Sequence, residues 1–235
     1  MSERAWRVAG VLALGHVVLV LVGVTQLPLT GLDTSQEAVA EAYAKANMAL
    51  AFTGGYAEAI GFLLLLPVFA FLAREVGRGT EVGGWAAQSA FAAGLCYVAV
   101  SFAPGFAAGA AALSGAQNGV DAATVDVVND VRNFAYLLSV LLLAAHATGF
   151  AIAALADRVL PRWLGWAGIA TGVVLLISVP ATSIDMLRHD AVNAAVFLWL
   201  VWFVGLSVVL LRYRPADTEA HRSVPAGTAS AAVDR

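Results

Sequence analysis

Residues 54–72 read GGYAEAIGFLLLLPVFAFL. The run is apolar enough to lie in hydrocarbon, yet it holds one carboxylate, Glu58. On insertion scales an acid at the centre of a membrane helix costs about 2.5–3.5 kcal/mol. A chain that keeps an acid there must offset that cost with a partner inside the bundle, or must need the acid for its function. The same stretch sets the fold class. About 20 consecutive apolar residues, rising ~1.5 Å each as a helix, cross a ~30 Å hydrocarbon core.

The rest of the chain repeats the pattern. Of its 235 residues, 60% are hydrophobic and 12% charged, with a mean hydropathy of +0.81. Soluble domains carry about 25% charged residues. Half that share, arranged in long apolar blocks, indicates a chain solvated by a lipid bilayer. Six runs reach spanning length: 7–28, 48–73, 85–112, 132–156, 163–184 and 193–213. They predict an all-α, polytopic helical bundle with six transmembrane helices. The first run is expected to be a retained helix rather than a signal peptide. Its apolar stretch is long, and the VTQLPLTGL that follows has no small-x-small cleavage pattern.

Basic residues assign the two sides. Arg4, Arg7, Arg74, Arg78, Arg158, Arg162, Arg212 and Arg214 flank one side of the spans, and Lys45, Arg132 and Arg188 flank the other. The positive-inside rule then places both termini in the cytoplasm. Arginine outnumbers lysine twelve to one and alanine is abundant, the bias of a GC-rich bacterial genome. The expected location is therefore the bacterial cytoplasmic membrane. Trp6, Trp85 and Trp163 each begin a span at its cytoplasmic end, where tryptophan anchors a helix at the interface.

Two loops have character. In 33–47, DTSQEAVAEAYAKAN, Thr34 and Glu37 have capping-box spacing, and Val39 and Tyr43 then fall on one face. A short outer helix over 34–47 is predicted. The polar, acidic segment 114–130, SGAQNGVDAATVDVVND, is expected to be a loop with one helical turn, and Asn129 with Asp130 to cap the fourth span. The tail 215–235 is small and polar, a composition expected to be disordered.

Several function classes are excluded by what is missing. There is no basic cluster for nucleic acid. Cys96 is the only cysteine, so the chain has no internal disulfide, and no Cys/His spacing suits zinc. No Ser-His-Asp order or phosphate-binding glycine loop is present. The GGYAEAIG glycines lie within a span and fit helix packing.

The polar residues inside the spans carry what remains. Counted at ~1.5 Å per residue, Glu58 lies roughly 15 Å from the outer end of its span. His16 and His146 lie roughly 14 and 15 Å from the inner ends of theirs. Three ionisable groups on three helices thus share one depth, and groups of this kind face the bundle interior. Ala51, Gly54, Gly55, Glu58 and Gly61 share one face of the second span, where small residues admit a neighbouring helix. Arg132, Tyr136, Ser139, Leu143 and His146 form a stripe on the fourth span, leading from the outer surface to the midplane. Pro67 and Pro104 are expected to break the second and third spans. Asp130, Arg132, Asp185, Arg188, His189 and Asp190 rim the outer side. The expectation is an outward-open polar cavity with Glu58 at its floor, the acid held by a histidine, an arginine or a tyrosine. A buried Glu–His pair that only locks helices together, with histidines that only pack, is the plainer alternative.

The stretch VLPRWLGWAGIATGVVLL, 159–176, resembles a family of small bacterial multi-pass membrane proteins with no reaction attached to it. The family's opening to the fifth span, Pro-Arg-Trp-Leu…Trp-Gly, is matched here. So is an acid early in the second span, with a Leu/Pro-rich run ending in a basic loop, at Glu58 and Arg74. Arg132-Asn133-Phe134 matches an Arg-plus-aromatic opening of the fourth span, with Asn where an acid is usual. The third-span arginine and glutamate of relatives have no counterpart, Gln88 being the nearest polar residue. The resemblance implies the topology and names no chemistry. In length and helical character the chain is also similar to the small integral-membrane terpene cyclases. That resemblance implies two catalytic acids, with Glu58 and Asp185 in those roles.

Four functional readings follow. In the first, the bundle binds or moves a small lipophilic or cationic ligand, or a proton, with Glu58, His16, His146, Arg132, Tyr136 and Ser139 as ligand-binding residues. In the second, an intramembrane isomerase or cyclase uses Glu58 as acid and Asp185 as base. In the third, His16 and His146 ligate a haem, although no cofactor is required by the pattern. In the fourth, the chain is a structural or regulatory membrane subunit.

Overall fold

The computed structural model describes residues 3–26, 28, 30–183 and 190–212. The expectations for Asp185, Arg188, His189, Arg214 and the tail 215–235 lie outside them. Among the described residues the chain is helical throughout, with no strand. In chain order the helices are α1 (Glu3–Val24), α2 (Gln36–Lys45), α3 (Met48–Val76), α4 (Glu81–Val100), α5 (Ala107–Gln117), α6 (Ala122–Asp157), α7 (Arg162–Ser183) and α8 (Asp190–Arg212). A π-helical turn, Ser101–Phe106, joins α4 to α5 without a break. Counting α4 to α5 as one rod, six helices are long and apolar enough to cross a membrane. The fold is thus an all-α bundle of the multi-pass membrane class.

The spans pack in chain order around a ring. Each of α1, α3, α4, α6, α7 and α8 lies beside the next, and α8 returns to α1. Large apolar residues such as Phe52, Leu63, Ile177 and Phe197 remain exposed on the outside of this ring, as expected where lipid rather than water is the neighbour. The interior is filled by Ala13, Phe62, Leu65, Phe69, Leu143, Trp199, Phe203 and Leu206.

Each prediction about span ends met a local cap. The fourth span starts ten residues earlier than its hydrophobic run, because Asp121, not Asn129–Asp130, is the N-cap. The Asp121 side chain accepts from the Thr124 N–H at 2.9 Å and from the Thr124 hydroxyl at 2.8 Å. Those bonds hold the Asp121 carboxyl below its usual pKa. Segment 114–130 is consequently mostly helical, the end of α5 and the start of α6, and not a loop. At 36 residues and ~1.5 Å per residue, α6 is about 54 Å long and outruns the hydrocarbon core. On α2 the cap is Ser35, which accepts from the Ala38 N–H at 3.3 Å. Thr34, the expected cap, instead accepts from the Gly31 N–H at 3.1 Å.

The prolines also behave differently from expectation. α3 runs unbroken through Pro67. At Pro104 the missing N–H and the clash with the carbonyl four residues back are absorbed by widening to the π turn. Trp85 and Trp163 are exposed, as interfacial anchors would be, whereas Trp6 is buried edge-on against Phe71 with centroids 5.1 Å apart.

The two ends of the bundle are built differently. At the end bearing the described termini, the Asp157 carboxylate closes the α3–α4 turn, accepting from the Gly79 N–H at 2.7 Å and the Thr80 hydroxyl at 2.6 Å. Beside it the buried Glu75 pairs with Arg78 at 3.1 Å and Arg74 at 3.4 Å. At the opposite end α2 lies across α5 and the start of α6. Val39 and Tyr43 make a second small core there with Ala51, Ala112, Leu113 and Val125.

Candidate functional site

Glu58 is positioned by backbone contact between α1 and α3. A Cβ on Gly23 would come within 2.7 Å of both the Glu58 Cβ and the Gly54 carbonyl oxygen. Only glycine permits that approach, and it fixes the root of the acid against α1. The Glu58 side chain is half-buried. Among the described residues its carboxylate makes no hydrogen bond, and no cation lies within 4.0 Å of it. Among the described residues, the charged and titratable groups that it feels are Arg132, Tyr97 and Tyr136. They come from α6, α4 and α6, so three helices contribute to one cluster.

The arginine is already engaged. Its Nη1 donates to the Pro28 carbonyl at 2.9 Å and to the Tyr43 hydroxyl at 2.7 Å. The Tyr43 hydroxyl in turn donates to the Asn129 side-chain oxygen at 3.1 Å, and the Thr30 hydroxyl donates to the same oxygen at 2.8 Å. Arg132 therefore ties α2 and the α1–α2 connection to α6, and attracts Glu58 from a distance. The amide nitrogens of Asn129 and Asn133 are buried beside this network with no partner among the described residues. Tyr136 donates across the ring to Asn193 of α8 at 2.9 Å.

The histidines have a different role from the one expected. Neither forms a hydrogen bond to Glu58. His16 Nδ1 lies 2.9 Å from the Gly61 carbonyl oxygen, and His146 Nδ1 lies 2.9 Å from the Ala90 carbonyl oxygen. A carbonyl only accepts, so each Nδ1 carries the proton, and each Nε2 is left as a buried acceptor with no partner among the described residues. His16 thereby pins α1 to α3, and His146 pins α6 to α4. Phe69 lies 4.1 Å from His146 and Phe150 stacks on its other side, whereas the ring neighbours of His16 are Phe62, Trp199 and Phe203. The two histidines share no ring neighbour. Ser139 closes onto its own helix, donating to the Tyr136 carbonyl at 2.7 Å.

One turn deeper than Glu58, four rings from four helices close a circuit. His16 of α1 lies 5.8 Å from Phe62 of α3, Phe62 lies 5.3 Å from Tyr97 of α4, Tyr97 lies 6.3 Å from Trp199 of α8, and Trp199 lies 5.8 Å from His16. The π turn adds Phe102 and Phe106, both edge-on to Phe62 at 6.3 and 5.8 Å. A regular turn there would present those two rings differently, and π turns recur at functional sites. The indole N–H of Trp199, like His16 Nε2, is buried without a partner among the described residues.

Of the residues the sequence singled out, the structure thus brings Glu58, Arg132 and Tyr136 together. It links His16 to them through Phe62, and places His146 and Ser139 in helix packing. Asp185 lies outside the described residues. The sequence reading missed Tyr97, Phe62 and Trp199, and gave Asn129 only a capping role. A signal existed for Phe62, four residues after Glu58 and hence on the same face, and for Tyr97 as an isolated hydroxyl within a span. Compared with family models, with curated proteins and with solved structures, the chain matches nothing.

Proposed function

We propose that this is a bacterial inner-membrane protein, both termini cytoplasmic, that binds or moves a small lipophilic or cationic molecule, or a proton, at Glu58. The orientation rests on the arginines flanking one end of the spans. The similarity of residues 159–176 to small bacterial multi-pass proteins is carried into this reading for topology alone. One observation carries the site. A carboxylate inside a span has no hydrogen bond and no close cation among the described residues, while the Tyr97 and Tyr136 hydroxyls lie near enough to feel its charge. An acid kept for packing would hold a protein partner, as each histidine does through its Nδ1. Access is proposed from the α2 end, the outer side in this orientation.

The test is a native mass spectrum of protein released from mild detergent, wild type beside Glu58→Gln. The expected result is a discrete added mass in the wild type that is lost in the variant. Two folded proteins with identical, adduct-free spectra, and no proton movement that depends on Glu58, would overturn the reading.

A second reading, an intramembrane acid–base enzyme of isomerase or cyclase type, is favoured by the Tyr97 and Tyr136 hydroxyls beside the acid. Turnover of isoprenoid polyenes or epoxides by the wild type in membranes, abolished in Glu58→Gln, would establish it. Asp185, the second acid of that reading, lies outside the described residues.

A further inference from the structure

We propose that the chain holds one anionic phospholipid, its phosphate on Arg4 and an acyl chain in a groove between α1 and α3. The site lies at the end of the bundle where α1 begins, the cytoplasmic leaflet in the orientation proposed above. It is independent of the reading of Glu58.

The groove is a cavity of about 370 Å³, lined on α1 by Arg4, Ala5, Val8, Ala9 and Leu12 and on α3 by Pro67 and Phe71. The α1 residues recur at three- and four-residue steps and so share one face of the helix, as Pro67 and Phe71 share one face of α3. Ala5 and Ala9 are too small to fill the space between the two helices. Ala9 is buried, whereas Val8 and Pro67 are exposed, so the groove has a floor and opens at the protein surface. Phe71 is braced edge-on by the buried Trp6, with centroids 5.1 Å apart, which fixes one wall.

Three observations name the occupant. From Arg4 to Leu12 the helix rises about 12 Å at ~1.5 Å per residue, within the ~15 Å depth of one leaflet's hydrocarbon. The groove thus runs the way an acyl chain runs from its headgroup. Next, every lining residue except Arg4 is apolar. Finally, Arg4 is exposed and has no hydrogen bond or ion pair among the described residues. Glu3, the acid beside it in sequence, is taken by Arg7, and Arg74 and Arg78 are taken by Glu75. A guanidinium matches the oxygens of a phosphate, and its aliphatic stem lies along apolar surface while the head reaches the interface. Basic residues beside membrane helices attract anionic headgroups.

A soluble anion would leave the apolar walls bare. A zwitterionic lipid would fill the walls but bring its own ammonium beside Arg4. A helix from a second copy would bury the guanidinium without a counter-charge unless it supplied an acid.

The test titrates the full chain in mild detergent with phosphatidylglycerol or phosphatidylcholine of identical acyl chains, read by native mass spectrometry. The first phosphatidylglycerol should bind about fivefold more tightly, the effect of roughly one basic residue at the interface. Arg4→Gln should cut that preference to less than twofold. Arg162→Gln, which removes an exposed arginine outside the groove, should keep it. A phosphatidylglycerol with a photoreactive acyl chain should label residues 4–12 and 67–71, and Ala5→Leu, which fills the groove, should lose that label. Equal affinity of the two lipids, a preference that survives Arg4→Gln, an equal loss in Arg162→Gln, or labelling confined to other segments would overturn the assignment. A dimer in the spectrum that Ala5→Leu dissociates would give the groove to a second copy and would overturn it as well.

Discussion

His16 packs about one turn beyond Glu58, on Gly61 and Phe62, and His146 packs on Phe69, roughly 16 Å further along α3 than Glu58 at ~1.5 Å per residue, so the three do not share the one depth expected of them. Each histidine places its Nδ1 proton on a carbonyl of a neighbouring helix and packs its ring among aromatics. Removing either ring leaves a cavity and breaks a hydrogen bond between helices, two costs that add. His16→Ala and His146→Ala should each destabilise the fold by about 2–4 kcal/mol, seen as a lowered midpoint in thermal unfolding of the detergent-solubilised protein. A midpoint within a degree of wild type would show that these histidines are not pins. Their burial was legible in the sequence, because ionisable groups within spans face the bundle interior, but their relative depth was not, because the helices extend beyond their apolar runs. Nor were their partners. A backbone carbonyl such as that of Gly61 leaves no mark in side-chain pattern, and the azimuth of His16 relative to Glu58 depends on how closely α1 approaches α3. Gly23 and Gly54 set that approach, and Gly23 carries no polar signal that would single it out.

Helix ends were the least legible elements, and for a consistent reason. Hydrophobic runs report the part of a helix that lies in lipid, whereas caps decide where the helix begins. Asp121 starts α6 well ahead of its apolar run, and Ser35 rather than its neighbour Thr34 starts α2. At the other end Asp157 serves the turn before α4, reaching Gly79 and Thr80 from 78 and 77 residues away in sequence. No local motif could announce that contact. Loss of this carboxylate orphans the Gly79 N–H and the hydroxyl that itself caps α4 by accepting from the Gly83 N–H at 3.0 Å. Asp157→Ala should therefore cost about 1–2 kcal/mol, and hydrogen exchange should speed up first at the amides of residues 79–83. Uniform exchange along the chain, unchanged from wild type, would count against the cap. Pro104 teaches the same lesson in another form. The residue foretells a disturbance of the third span, but whether the backbone breaks or widens into a π turn depends on the packing of Phe102 and Phe106 against Phe62.

Across the whole molecule, class and order of spans were readable, since length, hydropathy and loop spacing fix them. The closure of the six spans into a ring, with α8 returning to α1, required the structure. So did the discovery that rings from α1, α3, α4 and α8 meet inside it. The central claim concerns Glu58, whose carboxylate has no hydrogen bond or close cation among the described residues and which we propose is retained for a ligand. A residue kept for function at the expense of the fold has a thermodynamic signature, because its removal does not weaken the empty protein. The most direct measurement is the thermal unfolding midpoint of Glu58→Gln against wild type, ligand-free, in the same detergent. The account predicts a midpoint equal to wild type or above it, by an amount up to the roughly 2.5–3.5 kcal/mol that an acid costs inside a span. A midpoint several degrees lower would contradict it, and would make Glu58 a structural residue like the two histidines.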